Sequence, residues 1–317
     1  MDQMRVLVTG AAGFVGSHLV DALLKKDHFV IGIDNLSTGS MDNLKHLENN
    51  SNFIFFEHDV IEPYNYEVDL VFNFACPASP VQYQLSPIRT LLTSTVGTIN
   101  ALELCLRYGS KLIHASTSEI YGDPDVSPQI ESYVGRVNPI GPRACYDEGK
   151  RAAETAIYDF IRVHGIDARV VRIFNTYGPR MALNDGRVVS NFFVSAIKNE
   201  AITMYGDGLQ TRSFCYVDDT VDAILRMSYL QVPHTTPINV GNPYEITMAE
   251  LSREILGLTK SKSDVKYLPL PQDDPRQRCP DISLARDVLN WSPLISLKDG
   301  LRMTAKYFEE LINVPNS

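Results

Sequence analysis

RVLVTGAAGFVGSHLVDALLKKDHFVIGID, residues 5–34, is the stretch that decides the fold. RVLVTG is a β-branched run, SHLVDALLKKDH has helical character, and FVIGID is a second strand that ends in an acid. Together they make a βαβ unit. Between strand and helix stand Gly10, Gly13 and Gly16, spaced G-x-x-G-x-x-G rather than G-x-G-x-x-G. The physical need is similar: glycine allows a tight turn, a close backbone approach to a diphosphate, and close packing of helix on strand. The helix N-terminus, opening with Phe14 and Val15, then faces the diphosphate. Asp34 follows eighteen residues after Gly16. Its carboxylate suits ribose hydroxyls and would repel a 2′-phosphate. No arginine directly follows it, the next residues being Asn35, Leu36 and Ser37, so NAD is favoured over NADP. The bland alternative is a structural glycine turn with a solvent-facing acid.

Strand and helix signals go on alternating. NFIFFEHDV (52–60) reads as a third strand, ending at Asp59 and Val60, where an adenine would lie. DLVFNFA (69–75), KLIHAST (111–117) and RVVRIFN (169–175) read as the next three, and the helical stretch 90–109 ends at Gly109, a good C-cap. The expected fold is α/β: a Rossmann-type doubly wound parallel sheet with a smaller substrate-binding domain. After residue 177 the alternation loosens into loops punctuated by proline and glycine. Residues 1–177 are therefore assigned to the NAD-binding domain, with 211–241 returning to the sheet through a helical SFCYVDDTVDAILRMS and a strand PINVG. The pieces 178–210 and 242–317 are assigned to the substrate domain.

Composition narrows the function classes. The 317 residues are 44% hydrophobic and 21% charged, which suits one large α/β domain or two unequal ones. A net charge of −9 argues against a broad nucleic-acid surface, though small anions need only a few arginines and backbone amides. The five cysteines are scattered with no C-x-x-C pair, which reads as reduced intracellular thiols. The histidines show no metal-ligand spacing, and no apolar run is long enough for a signal peptide or a membrane span. A cytoplasmic protein without metal is expected.

HASTSEIYG (114–122) raises a choice, because the fifth strand stops at Thr117, Ser118 and Glu119. These residues are either a strand cap or a catalytic edge, since ligands of open α/β sheets bind beyond the carboxyl ends of the strands. Tyr146 and Lys150 lie four apart in a helical segment and so share one face. A phenol is a poor base at neutral pH; an adjacent ammonium and a positive nicotinamide would lower its pKa. Y-x-x-x-K alone is common on surface helices. The order is more telling: a glycine-rich βαβ unit, a strand ending in Thr and Ser, then Y-x-x-x-K.

That order resembles the extended short-chain dehydrogenase/reductase superfamily of nucleotide-sugar enzymes, over essentially the whole chain. The resemblance implies that Thr117 hydrogen-bonds the reacting hydroxyl, that Tyr146 is the base, and that Lys150 tunes it. Thr-Ser-Glu is similar to the UDP-glucuronate decarboxylases, or UDP-xylose synthases, whereas 4,6-dehydratases carry Asp-Glu and 4-epimerases small or neutral residues. ACPASPVQYQ (75–84), NPIGPRACYDEGKR (138–151), RIFNTYGPRM (172–181), NDGRVVSNF (184–192), YGDGLQTRSFCYVDD (205–219) and DDPRQRCPDI (273–282) agree with the same family. The implied reaction oxidises C4 of UDP-glucuronate, loses CO2 and returns the hydride, giving UDP-xylose.

The resemblance also places Arg278 in the sugar site, to hold the carboxylate or help protonate the enolate. Glu119 would either disfavour the substrate carboxylate or hold a water; as a bland alternative it simply pairs with a nearby arginine. Asn175, Arg187 and Arg212 are the candidates for the nucleotide. Two positions depart from the family: Cys279 stands where relatives carry a basic residue, and the loop near Val134 lacks their tryptophan. The helices 90–108 and 147–164 carry apolar residues on more than one face, and the resemblance implies a homodimer through them; the alternative is burial within one chain. Three other functions stay open: release of UDP-4-keto-pentose, a 4-epimerase or 4,6-dehydratase, and an NAD-binding regulator with a dead site.

Overall fold

A computed structural model of the chain describes residues 3–270 and 277–313. In its first half β1 (Arg5–Thr9), α1 (Phe14–Leu24), β2 (Phe29–Asp34), β3 (Phe53–Glu57), β4 (Leu70–Asn73), α2 (Pro80–Leu85), α3 (Pro87–Tyr108), β5 (Lys111–Thr117), α4 (Ala144–His164) and β6 (Ala168–Ile173) follow one another. The second half brings β7 (Thr176–Tyr177), α5 (Val188–Ile197), β8 (Ile202–Tyr205), β9 (Thr211–Ser213), β10 (Cys215–Tyr216), α6 (Val217–Tyr229) and β11 (Ile238–Val240). The remaining elements are β12 (Glu245–Thr247), α7 (Met248–Thr259), β13 (Val265–Leu268), β14 (Gln277–Arg278), α8 (Ser283–Leu289) and α9 (Leu297–Asn313).

Seven strands form one parallel sheet in the order β11-β6-β5-β4-β1-β2-β3. This is the doubly wound order, with its switch point between β1 and β4. The sheet is covered on both faces, and the alternation of side chains along a strand explains the two apolar layers. Val6, Val8 and Phe72 join the layer under α1 and α6, while Leu7, Val71 and Leu112 join the layer under α3 and α4.

At the β1–α1 turn the glycines answer a steric demand. Gly10 has φ +71°, and a Cβ on Gly16 would lie 2.0 Å from the Gly10 carbonyl oxygen. Beyond β6 the chain builds smaller sheets. β9 lies between β12 and β14, β8 pairs with β13, and β7 with β10. Helix α6 starts at Val217, later than the helical stretch expected from Ser213; residues 211–213 and 215–216 are extended instead. Their Thr, Cys and Tyr side chains favour strands, and Arg212 pairs with Arg278 of β14. The Asp273–Arg276 part of the DDPRQRCPDI motif lies outside the described residues. No described helix is long and apolar enough to cross a membrane.

Candidate active site

Two cavities meet at the carboxyl edge of the sheet. The first, about 530 Å³, runs over the β1–α1 turn and is lined by Gly10, Gly13, Phe14, Val15, Gly16, Asp34, Asn35 and Val60. Gly13 caps α1 without a side-chain hydrogen bond, so the first-turn amides are left for a ligand. Asp34 is buried at the end of β2, and its two oxygens accept from Ala12 N (3.0 Å) and Leu36 N (2.8 Å). Burial raises its carboxyl above the usual range, against the pull of those amides. A cradle with no room for Cβ atoms, open helix amides and an acid at the second strand end fit a dinucleotide.

At the rim Asn35 Nδ2 donates to Asp59 Oδ2 (2.7 Å), and Arg89 pairs with the same oxygen. Burial pushes the Asp59 carboxyl up, but Asn35, the Ile61 amide and Arg89 outweigh it and hold the group down. Asp59 therefore ties the loops after β2 and β3 to α3, while its neighbour Val60 lines the cavity.

The reacting centre is built where β5 meets α4. The Thr117 hydroxyl accepts from Glu119 N (3.2 Å) and caps the single turn Ser118–Tyr121, so the strand-cap reading of that hydroxyl holds. The same hydroxyl also hydrogen-bonds the Tyr146 side chain. Ser118 is buried behind it. Lys150, one helical turn after Tyr146, donates from Nζ to Ala115 O (2.7 Å) and lies 6.0 Å from the Tyr146 ring centre. In the protein by itself burial pushes the Tyr146 phenol well above its ordinary value, and the Thr117 hydrogen bond opposes that rise. The lowering expected from the sequence thus depends on the positive ring of a bound nicotinamide, because Lys150 turns its ammonium to the Ala115 carbonyl.

The second cavity, about 380 Å³, opens beside this centre and is lined by Glu119, Arg143, Asn175, Arg187, Arg212 and Arg278, among others. Glu119 Oε2 accepts from Arg143 Nη2 (2.6 Å) and stands 3.4 Å from Arg278 Nη2. The plain pairing with an arginine is therefore realised, inside a cavity. Burial alone would raise the Glu119 carboxyl; Arg278 and Arg143 overcome it and hold it at about 2. Arg278 is 1% exposed, and none of its guanidinium nitrogens has a hydrogen-bond partner among the described residues. Glu119 is the carboxylate beside it and is already shared with Arg143, so the buried cation favours a further anion.

Asn175 Nδ2 donates to Ser213 O (3.4 Å) and Arg212 Nη1 to Thr211 O (2.8 Å). Arg187 lines both cavities; it grips Asp185 with two nitrogens (2.6 and 2.7 Å), and its guanidinium lies 5.7 Å from the Phe14 ring centre. Cys279 is buried with its thiol toward Pro243 O (3.3 Å), and Val134 is exposed. Among the described residues no group of three His, Cys, Asp or Glu side chains could hold a metal.

Sequence reasoning missed three residues of this cluster. Tyr83 stacks on Tyr146 at 5.0 Å, and Arg143 pairs with Glu119. Asp147 is buried with Oδ1 lacking a hydrogen-bond partner. All three lie inside quoted motifs, but nothing local distinguishes them from their neighbours. Burial, then the Glu119 charge, push the Asp147 carboxyl up to about 8, against Arg143 and Arg278. A group raised on folding stabilises the fold below its unfolded value of 3.8, and that stabilisation is lost as pH rises through about 8. Asp147→Asn is therefore expected to gain thermal stability over the parent protein on going from about pH 6 to about pH 9. Melting curves across that range check this; a difference independent of pH would sink it.

The comparisons with known proteins agree with this geometry. Residues 6–241 match the model of the NAD dependent epimerase/dehydratase family. UDP-glucuronic acid decarboxylase 6 of Arabidopsis thaliana is 51% identical over 98% of this chain and 91% of that protein. UDP-glucuronic acid decarboxylase 1 of Danio rerio is 50% identical over 97% of this chain and 73% of that one. Among solved structures, UDP-glucuronic acid 4-epimerase from Bacillus cereus, in complex with UDP-glucuronic acid and NAD, superposes with TM-score 0.87. It is 27% identical and covers 97% of this chain and 100% of its own. UDP-glucose 4-epimerase from Thermotoga maritima with UDP-glucose gives TM-score 0.88 at 31% identity, over 98% of this chain and 100% of that one.

Proposed function

The chain belongs to the NAD dependent epimerase/dehydratase family, and on that premise we propose that it is a UDP-glucuronate decarboxylase that makes UDP-xylose with NAD as cofactor. The observation that carries the reading is Arg278, a buried cation without a hydrogen-bond partner among the described residues, 3.4 Å from an ionised Glu119 in the second cavity. Decarboxylase relatives near 50% identity support the same substrate and reaction.

Bound NAD supplies reversible hydride chemistry at C4 of the sugar. Gly10, Gly13, Phe14, Val15 and Gly16 would hold its diphosphate, Asp34 its ribose, Asn35, Asp59 and Val60 its adenine, and Lys150 and Tyr146 would serve its nicotinamide end. Thr117 orients the C4 hydroxyl and Tyr146 takes its proton. Oxidation there leaves a ketone beta to the C6 carboxylate. The C5–C6 bond then breaks, its electron pair staying on the sugar as an enolate conjugated with the C4 carbonyl, and CO2 departs. The enolate takes one proton from solvent water at C5, Tyr146 gives its proton back to the C4 oxygen as that carbon is reduced, and no net oxidation results.

Arg278 attracts the carboxylate and Glu119 repels it, so loss of CO2 relieves the repulsion. Thr117 caps the turn that carries Glu119, and Ser118 is buried within that turn. Asn175, Arg187 and Arg212 hold the nucleotide, with 178–210 and 242–317 as the substrate-binding part. Ile88 and Leu92 of α3 and Val163 of α4 are exposed apolar residues on packed helices, which supports a homodimer through them. Five unpaired cysteines support a cytoplasmic location.

The test is to incubate the purified protein with UDP-glucuronate and NAD and to follow CO2 and the sugar by NMR. UDP-xylose with little reduced cofactor supports the full cycle. CO2 with a 4-keto-pentose and reduced cofactor means that the reaction stops early. Absence of CO2 sinks the decarboxylase reading.

A further inference from the structure

We propose that Gln129, a residue outside both cavities, is the positioning residue for Arg278. The proposal rests on the reading of Arg278 as the residue that receives the substrate carboxylate. A guanidinium without hydrogen bonds of its own is aimed by its backbone, and Gln129 holds that backbone. It is fully buried. Its side-chain Oε1 accepts from Cys279 N (2.9 Å), its backbone N donates to Cys279 O (2.8 Å), and its carbonyl accepts from Asp281 N (2.9 Å). Its remaining side-chain nitrogen donates to Val126 O (2.7 Å). On the other side Arg278 pairs with Arg212 in the small sheet, and Ser213 Oγ donates to Arg278 O (3.3 Å). Arg278 is thus held by β9 on one side and followed by Cys279, whose backbone the glutamine fixes at both N and O.

The glutamine is itself tied to the opposite wall of the reacting centre. Asn239 Nδ2 donates to Gln129 O (3.0 Å), and Asn239 Oδ1 accepts from the Tyr121 hydroxyl (2.8 Å). That hydroxyl accepts from Arg172 Nη1 (3.0 Å), and Arg172 holds Glu154 in a buried pair (2.8 Å). Glu154 Oε1 accepts from Ser116 Oγ (2.5 Å), next to Thr117. Arg278 and the Thr117 end of β5 are therefore joined by one run of buried hydrogen bonds through Gln129. Such networks fix geometry, and small displacements at a reacting centre are costly to rate.

The experiment compares affinities for UDP-glucuronate and UDP-xylose, which differ by the carboxylate, in NAD-loaded protein carrying Tyr146→Phe to prevent turnover. Calorimetry gives the ratio of the two. Gln129→Met leaves the Cys279 amide without an acceptor and is expected to lower the ratio about tenfold, with UDP-xylose affinity little changed. A purely structural loss would weaken both ligands alike, and an unchanged ratio overturns the proposal. If that variant does not fold, Gln129→Glu is titrated from about pH 6 to about pH 9. Ionisation there sets an oxygen against the Val126 carbonyl, so the ratio is expected to fall with pH; a ratio that follows the Gln129 protein overturns the proposal. Arg278→Met separates the two levels. If it leaves the ratio unchanged, the carboxylate reading itself fails, and the inference with it. If it collapses the ratio while Gln129→Met does not, only the inference fails.

Discussion

Tyr146→Phe is expected to lower CO2 release from UDP-glucuronate by about 10³, within the range of a lost general base. The substitution removes one oxygen and little else. The ring is buried and stacked on Tyr83 at 5.0 Å with the planes nearly parallel, and a phenylalanine keeps that stack. What goes is the hydroxyl that shares a hydrogen bond with Thr117. Without it no group at this position can take the C4 proton, so the ketone needed for loss of CO2 does not form. The deficit therefore falls on the first chemical step, and neither reduced cofactor nor CO2 accumulates. UDP affinity and melting temperature are expected to stay close to the parent values. Activity within about tenfold of the parent protein would remove Tyr146 from the role of base.

Arg278→Met is expected to act on the next step and to have a companion effect. CO2 release should fall by about 10² or more, because a buried cation facing the carboxylate is worth several kcal/mol. Thermal stability of the substrate-free protein at neutral pH should fall as well, because Arg278 is the strongest single attraction that keeps the buried Glu119 ionised. An apolar side chain removes the desolvation cost of a buried guanidinium, but it also takes from the buried Glu119 carboxylate the cation 3.4 Å away. Glu119 keeps Arg143 as its partner at 2.6 Å. The acid limb moves the same way. A carboxyl held at about 2 adds stability above its unfolded value of 4.5, and that stability is lost as pH falls through about 2. Losing Arg278 lets burial push Glu119 up, so this contribution shrinks and acid unfolding sets in at higher pH. Paired melting and acid-titration curves check both; stability unchanged at neutral pH and in acid would show that Arg278 does not keep Glu119 ionised.

The first thirty-four residues determined the fold by themselves, for a local reason. The steric demand at Gly16 acts within one turn and the positive φ of Gly10 is equally local, although a Cβ on Gly10 would also meet the Ala75 backbone, and the apolar alternation of β1 is a property of consecutive residues. The four-residue spacing of Tyr146 and Lys150 is equally local, since a helix puts them on one face whatever surrounds it. The resemblance carried Arg278 to the sugar site as a single residue. What only the tertiary structure decided is how such residues combine. Glu119 comes from the end of β5, Arg143 from the start of α4 and Arg278 from β14, and no period in the chain relates them. Their pairing fixes which carboxyl is ionised: Glu119 is held at about 2 and Asp147, a few residues from Arg143 on the same helix, is raised to about 8. Charge states depend on burial and on distances between distant segments, and neither is a property of a stretch of sequence.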